Sequence, residues 1–330
     1  MLKLSDFDYK LPKELIAQYP LRERDSARLL VLDRLRGTIE HRVFKGLKDY
    51  LKKDDLLVLN NTKVIPGRIF GKRLTGGKVE ILLLRRKSNS AFRALLKPGR
   101  LKLGEKIIFN GGKVFARITA KNEIDFNTKD IRSIYKLGVM PLPPYIKRQV
   151  QDLDNDYYQT VYAKQEGAIA SPTAGLHFTK SLISELESMG TDIIYLTLHV
   201  GLGTFKPVKE EDITLHKMEP EYFNVPEDVS KKIDEARANK ARVFAVGTTS
   251  LRALETYASG IKEGSTDLFI YPGYKFKLTD CLLTNFHLPK TTLFMLICAF
   301  AGEELAKRAY SEAIDKKYRF YSYGDAMLIL

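Results

Sequence analysis

Two of the five histidines, His177 and His199, stand in glycine-flanked loops where imidazole chemistry is available. The first follows Ser171-Pro172-Thr173-Ala174-Gly175, a run of small residues leading into a helical pattern. Backbone amides at the start of a helix favour anions and ligand carboxylates. Imidazole titrates near working pH, so His177 is a candidate general acid or base. An ordinary loop with a structural histidine is the alternative. The second ends the strand pattern of LTLHVGLGTFKPV (196–208), just before Gly201 and Gly203. In open α/β sheets the carboxyl ends of strands line the binding crevice. That makes His199 a second candidate, although glycines that only form a bulge fit the same pattern.

Two further motifs carry polar groups between apolar elements. VFAVGTTSLRALE (243–255) reads as strand, glycine, three hydroxyls and helix. Thr248, Thr249 and Ser250 can cap that helix or bind a ligand at its amino end. Arg252 and Glu255 are three apart and share a helix face, where a surface ion pair is the alternative to a ligand contact. In CLLTNFHLPKTTLFMLICAFAG (281–302), Asn285 and His287 fall between an apolar strand and an apolar helix. A polar pair there is either a satisfied core network or part of a site. Dinucleotide and nucleoside-triphosphate signatures are absent. Gly201 and Gly203 lack the third glycine of GxGxxG, because position 206 is lysine. GKRLTGGKV (71–79) misses P-loop spacing by one and lies in a β pattern. No HExxH occurs and no metal is expected. Cys281 and Cys298 are the only cysteines, which fits reduced thiols in a cytoplasmic protein.

The elements that must position these residues alternate. Strands are expected at 29–34, 55–65, 193–200, 241–247 and 267–273, and helices at 180–190, 227–239, 250–258 and 292–310. Alternation of this kind predicts α/β layering. Residues 66–150 read differently, as short strands at 79–87, 91–97, 106–109, 113–120, 123–127 and 131–138. Gly76-Gly77 and Asn110-Gly111-Gly112 are the hairpin-type breaks among them. The expected architecture is one α/β layered domain, from 1–65 and 151–330, with a small β-barrel domain inserted at 66–150. The tail YRFYSYGDAMLIL (318–330) is expected to dock as a final strand.

Charge follows the same division. The chain of 330 residues carries a formal net charge of +14. Residues 66–150 hold 20 Lys and Arg against 5 Asp and Glu, and the rest is nearly neutral. A localised basic surface is the footprint of a polyanion, nucleic acid first; a solvated face kept for solubility is the alternative. Acids at Asp6 and Asp8 argue against a signal peptide. The longest apolar run, 293–302, is about half the ~20 residues that span a bilayer, so no membrane partner is expected.

Taken together and in order, the motifs resemble the S-adenosylmethionine:tRNA ribosyltransferase-isomerase family of the queuosine pathway. The matching blocks run along the whole chain: DYKLPKELIAQYP (8–20), LVLNNTKVIPGRIFG (57–71), YQTVYAKQEGAIASPTAGLHFT (158–179), LTLHVGLGTFKPV, VFAVGTTSLRALE, FIYPGYKFKLTDCLLTNFHLPKTTL (269–293) and YRFYSYGDAM. Departures are small. Leu202 stands where the family has alanine, GAIAS replaces GSVAA, and Glu219 occupies the place of a second histidine after His216.

The resemblance implies transfer of the ribosyl unit of S-adenosylmethionine to 7-aminomethyl-7-deazaguanine in tRNA. Isomerisation then gives epoxyqueuosine, and adenine and methionine are released. S-adenosylmethionine is then a substrate, and no cofactor is implied. The sulfonium acidifies the C5′ hydrogens, so a base can form an ylide there, and adenine departure calls for assistance. His177 and His199 are the candidates for these proton transfers, with the assignment between them open. Thr173, Gly175, Gly201, Gly203, Thr248, Thr249, Ser250 and Arg252 are expected to hold S-adenosylmethionine or tRNA phosphates. Asn285 and His287 complete the pocket, and Tyr271 and Tyr274 stack on a base. A monomer is expected. Two rival readings stand beside this one: an S-adenosylmethionine-dependent tRNA methyltransferase, and a non-catalytic tRNA-binding protein.

Overall fold

A computed structural model describes residues 2–109, 112–201, 203 and 208–330. Asn110-Gly111 of the expected hairpin break, and Leu202, Thr204, Phe205, Lys206 and Pro207 of the glycine loop, lie outside the described residues. The main sheet has nine strands. Their order is Glu263–Thr266, Glu221–Asn224, Asp192–Leu198, Leu56–Asn60, Val243–Val246, Cys281–Asn285, Ala326–Ile329, Arg28–Asp33 and Thr38–Val43. The four from Asp192–Leu198 to Cys281–Asn285 are mutually parallel, and antiparallel strands extend the sheet on both sides. As the tail predicted, Ala326–Ile329 is a strand; it lies between Cys281–Asn285 and Arg28–Asp33.

Strand side chains alternate between faces, and both faces are covered, so the central strands read as continuous apolar runs. Leu56, Val58, Leu196, Val243, Ala245 and Leu282 face one core, packed against helices Glu227–Ala238, Gly247–Tyr257, Thr292–Ala301 and Glu303–Asp315. Leu57, Leu59, Phe244, Val246 and Leu283 face the other, against Phe44, Leu47 and helix Lys180–Ser188. Six of the seven strands of the second sheet close on themselves as a barrel, and Gly138–Val139 pairs onto Arg68–Arg73 beside them. The barrel order is Arg68–Arg73, Lys78–Arg86, Ala91–Lys97, Glu123–Phe126, Phe115–Ala120 and Lys106–Ile108, with the last pairing back to the first. Ile69, Ile81, Leu83, Phe92, Ile118 and Ile124 fill it. The α/β fold with a small barrel is therefore the one the sequence predicted. Among the described residues no helix is long and apolar enough to cross a membrane.

Several elements differ from expectation. Residues 131–138 are not a strand: Ile131–Tyr135 is a helix, capped by the Asp130 carboxylate on the Arg132 amide. Residues 267–273 have no regular structure, and the strand lies just before them at Glu263–Thr266. The apolar stretch 292–310 is two helices, broken at Gly302, whose φ of +85° is left-handed and suits glycine. Residues 55–65 split at Asn61. Thr62–Val64 leaves the main sheet to pair with Gln165–Ala168.

Candidate active site

The parallel strands deliver their carboxyl ends, Asn60, Leu198, Val246 and Asn285, to one edge of the sheet, where an open α/β sheet binds ligands. Asn60 ties this edge together. Its Oδ1 accepts from the amides of Thr62 and Leu198, and its Nδ2 donates to the Leu198 carbonyl and to Thr249 Oγ1. A cleft of about 520 Å³, counting its mouth, opens there. Thr173, Thr248, Thr249, Asn285 and His287, all singled out in the sequence, line it together with Tyr145, Tyr158, Ser171, Thr284, Tyr321 and Ser322.

His177 and His199 do not share this cleft. His177 is buried in a small neighbouring cavity with Arg24, joined to the cleft at Ser322. Its Nε2 accepts from Asn285 Nδ2 at 3.1 Å, while Asn285 Oδ1 accepts from Thr173 Oγ1 at 2.9 Å. Burial pushes the His177 imidazole down to about 4. His199 lies on the other side, in a larger open cavity of about 1680 Å³, counting its mouth, that meets the cleft at Val200. It is half-buried, and its Nδ1 is 2.7 Å from Thr62 Oγ1. The ring stacks on Tyr222 at 5.5 Å. Burial lowers its pKa from the ordinary histidine value, so the ring is neutral near pH 7. Gly167 permits this placement: a Cβ there would sit 2.7 Å from His199 Nε2.

The facing wall of the larger cavity comes from the barrel. Arg85, Arg86 and Arg93 are all exposed, and they look across to Glu166, Glu219, Glu221 and Tyr222. The basic segment thus contributes three guanidinium groups beside His199.

Other expected ligand residues are engaged elsewhere. Arg252 is buried. It forms an ion pair with the buried Glu221, donates from Nε to the Leu268 carbonyl at 2.9 Å, and lines none of these cavities. The Arg252–Glu255 surface pair does not form either. Glu255 is buried, and its carboxylate accepts from the amides of Lys277, Leu278 and Thr279 and from Thr279 Oγ1. Gly201 donates its amide to Glu221 at 2.7 Å, and Gly203 packs on Glu219. A Cβ on Gly175 would collide with the Tyr162 hydroxyl. Ser250 is fully buried and does not line the cleft. Tyr271 packs on Phe269, and Tyr274 packs on Phe276 and donates to Glu255; neither lines the cleft.

His287 is buried, with Nε2 3.0 Å from Thr284 Oγ1 and its carbonyl accepting from Tyr9. Burial lowers its pKa to about 3. Between pH 6.5 and about 4 for His177, or about 3 for His287, the unfolded chain binds more protons than the folded one. Stability therefore falls as pH falls through that window, by up to about 1.4 kcal/mol per pH unit for each ring. Urea unfolding at pH 7 and pH 5 should show His287→Gln losing less stability than the parent over that interval. Equal losses would show that the folded ring already takes up a proton there.

Comparison with known proteins places these features in context. The family described as queuosine biosynthesis protein matches residues 4–329. A protein of Sulfurihydrogenibium sp. (strain YO3AOP1), named S-adenosylmethionine:tRNA ribosyltransferase-isomerase, is 54% identical, with both chains covered completely. A Caldanaerobacter subterraneus protein of the same name is 53% identical, again over the full length of both. A crystal structure of S-adenosylmethionine tRNA ribosyltransferase from Thermotoga maritima is 37% identical. It aligns over 98% of this chain and 100% of its own, with a TM-score of 0.58.

Proposed function

Because the chain belongs to the queuosine biosynthesis protein family, we infer that it transfers the ribosyl unit of S-adenosylmethionine to tRNA and isomerises it. The acceptor is the aminomethyl group of 7-aminomethyl-7-deazaguanine, the product is epoxyqueuosine, and adenine and methionine leave. The cytoplasm, where tRNA is found, is the proposed site of action. The observation that carries the reading is the sequence of cavities. A cleft at the carboxyl edge of the parallel strands adjoins a larger cavity that holds His199 on one wall and three arginines on the other.

In this reading S-adenosylmethionine binds across the cleft and its junction with the larger cavity, and the modified base enters through the larger cavity. His199, neutral near pH 7, takes the proton that the sulfonium acidifies at C5′. Thr62 holds the ring through Nδ1, which leaves Nε2 as the atom that works. His177 acts through Asn285: its lone pair fixes the amide, which in turn fixes Thr173 at the cleft. Segment 66–150, as a domain inserted between 1–65 and 151–330, grips the tRNA backbone. An assay of free adenine and of nucleoside mass tests the whole reading. S-adenosylhomocysteine with a methyl gain would instead establish methyl transfer, and tight tRNA binding without turnover would favour a binding protein.

The barrel wall gives a second test. Three phosphate contacts steepen the fall of log K with log salt by about 2. Replacing Arg85, Arg86 and Arg93 together by alanine should flatten the salt dependence of tRNA binding by that amount. An unchanged slope in filter binding from low to physiological salt would remove these arginines from the tRNA path.

A further inference from the structure

Two observations about the cleft point to the same ligand group. The first is its neutrality. Among the described residues no Asp, Glu, Lys or Arg lines it; its walls are Ala170, Pro172, Val200, Leu293 and tyrosines, interrupted by hydroxyls, one amide and the His287 imidazole. Burying a zwitterion or a phosphate among such groups, with no opposite charge, would be costly. The charged groups lie in the neighbouring cavities, Arg24 on the His177 side and the arginines and glutamates on the His199 side. The second is unmet hydrogen-bonding capacity. Tyr158 and Ser171 are 0% and 5% exposed and both line the cleft, yet the Tyr158 hydroxyl and Ser171 Oγ have no hydrogen-bond partner. The Tyr158 hydroxyl lies near the Ser171 backbone and Ser322 without completing a bond to either. The amino end of helix Gly247–Tyr257 opens on the same space through Gly247, Thr248 and Thr249, and its N-cap residue, Val246, offers no capping side chain. Buried polar groups are normally satisfied, so groups left open around one cleft call for a ligand that satisfies them.

We propose that this cleft is the pocket for the adenine of the ribosyl donor, and that the amino end of helix Gly247–Tyr257 stabilises adenine as it departs. The proposal rests on the ribosyl-transfer reading and names the subsite within it. Adenine is planar, uncharged and rich in acceptor nitrogens, which suits apolar walls with free hydroxyl and amide donors. When the bond between ribose C1′ and adenine N9 breaks, its electron pair stays on N9. The electrons released by proton loss at C5′ go to the ribosyl unit, and one proton taken up by N9 completes neutral adenine. Negative charge therefore builds on the ring in the transition state. The positive end of a helix dipole beside it stabilises that charge more than the ground state, which accelerates departure.

Calorimetric titration of the purified protein with adenine, S-adenosylmethionine and methionine tests this. Adenine should bind alone and compete with S-adenosylmethionine, and methionine should not displace it. Tyr158→Phe and Ser171→Ala should each weaken adenine about tenfold (~1.4 kcal/mol) while leaving the ligand-free melting temperature unchanged or raised, because each hydroxyl has no bond to lose. Tyr145→Phe is the contrast. Its hydroxyl bonds Ser322, so that variant should melt lower. Absence of adenine binding, or variants that melt lower with parental adenine affinity, would overturn the pocket while adenine-releasing turnover left the transfer reading standing. No adenine from the complete substrates would overturn the transfer reading, and the pocket with it.

Discussion

His199→Ala is expected to slow adenine release in a single turnover by about 10²- to 10⁴-fold, the usual worth of a positioned general base. S-adenosylmethionine affinity should change only a few-fold, because the ring lines the adjoining cavity and not the cleft. The pH profile carries an independent sign. Burial lowers the His199 pKa, so the active neutral ring persists below pH 6.5, and the acid limb of kcat/KM should have its midpoint under that value. Gly167→Ala should act in the same direction without removing the imidazole. Its methyl would sit 2.7 Å from Nε2, at the atom that must meet the substrate. A rate within threefold of the parent in His199→Ala, or an acid midpoint above 6.5, would take the proton transfer away from this residue.

Arg252→Met is expected to cost about 3–5 kcal/mol of stability, because it removes the guanidinium that pairs with the buried Glu221 carboxylate. The loss should appear in denaturant unfolding and in the melting temperature. Any weakening of ligand binding should follow indirectly, since Glu221 also accepts from the Gly201 amide and so holds the loop after His199. Adding Glu221→Leu should recover part of the stability, because the buried carboxylate then goes together with its guanidinium partner. If Arg252→Met unfolds like the parent but binds S-adenosylmethionine far more weakly, the guanidinium is a ligand contact after all.

These two residues show what could be read from the chain and what could not. His199 was legible because a strand pattern that ends in histidine and glycine has one natural place in a parallel sheet. The hydroxyls at Thr248 and Thr249 were legible for the same reason, as strand-to-helix turns. Arg252 was misread because helical spacing offers only partners on its own helix. Its true partner, Glu221, lies on a strand 31 residues away, and no periodicity encodes that pairing. Glu255 likewise meets backbone amides at 277–279, which no side-chain pattern announces. Tyr145, Tyr158, Tyr321 and Ser322 were missed as cleft residues because they arrive from segments without regular structure on either side of the sheet. The barrel was visible in its turns and its charge. Its strand Arg68–Arg73 was not, because burial alternates there with exposed Phe70 and basic residues. The helix at Ile131–Tyr135 looked like a strand because Ile131, Ile134 and Tyr135 favour strands, and the Asp130 cap decides the matter locally.

The placement of strand Ala326–Ile329 has a consequence for how the protein is made. It separates Arg28–Asp33 from the rest of the main sheet. On the ribosome, the hairpin of Arg28–Asp33 and Thr38–Val43 therefore emerges with one edge bare and stays so until almost the whole chain has followed, roughly 15 to 60 s at about 5–20 residues per second. During that interval the barrel can close from its own strands, whereas the catalytic sheet cannot. The nascent chain thus has a stage with its basic barrel closed and its main sheet unfinished, and the early hairpin is the segment most exposed to mispairing with neighbouring chains on a polysome.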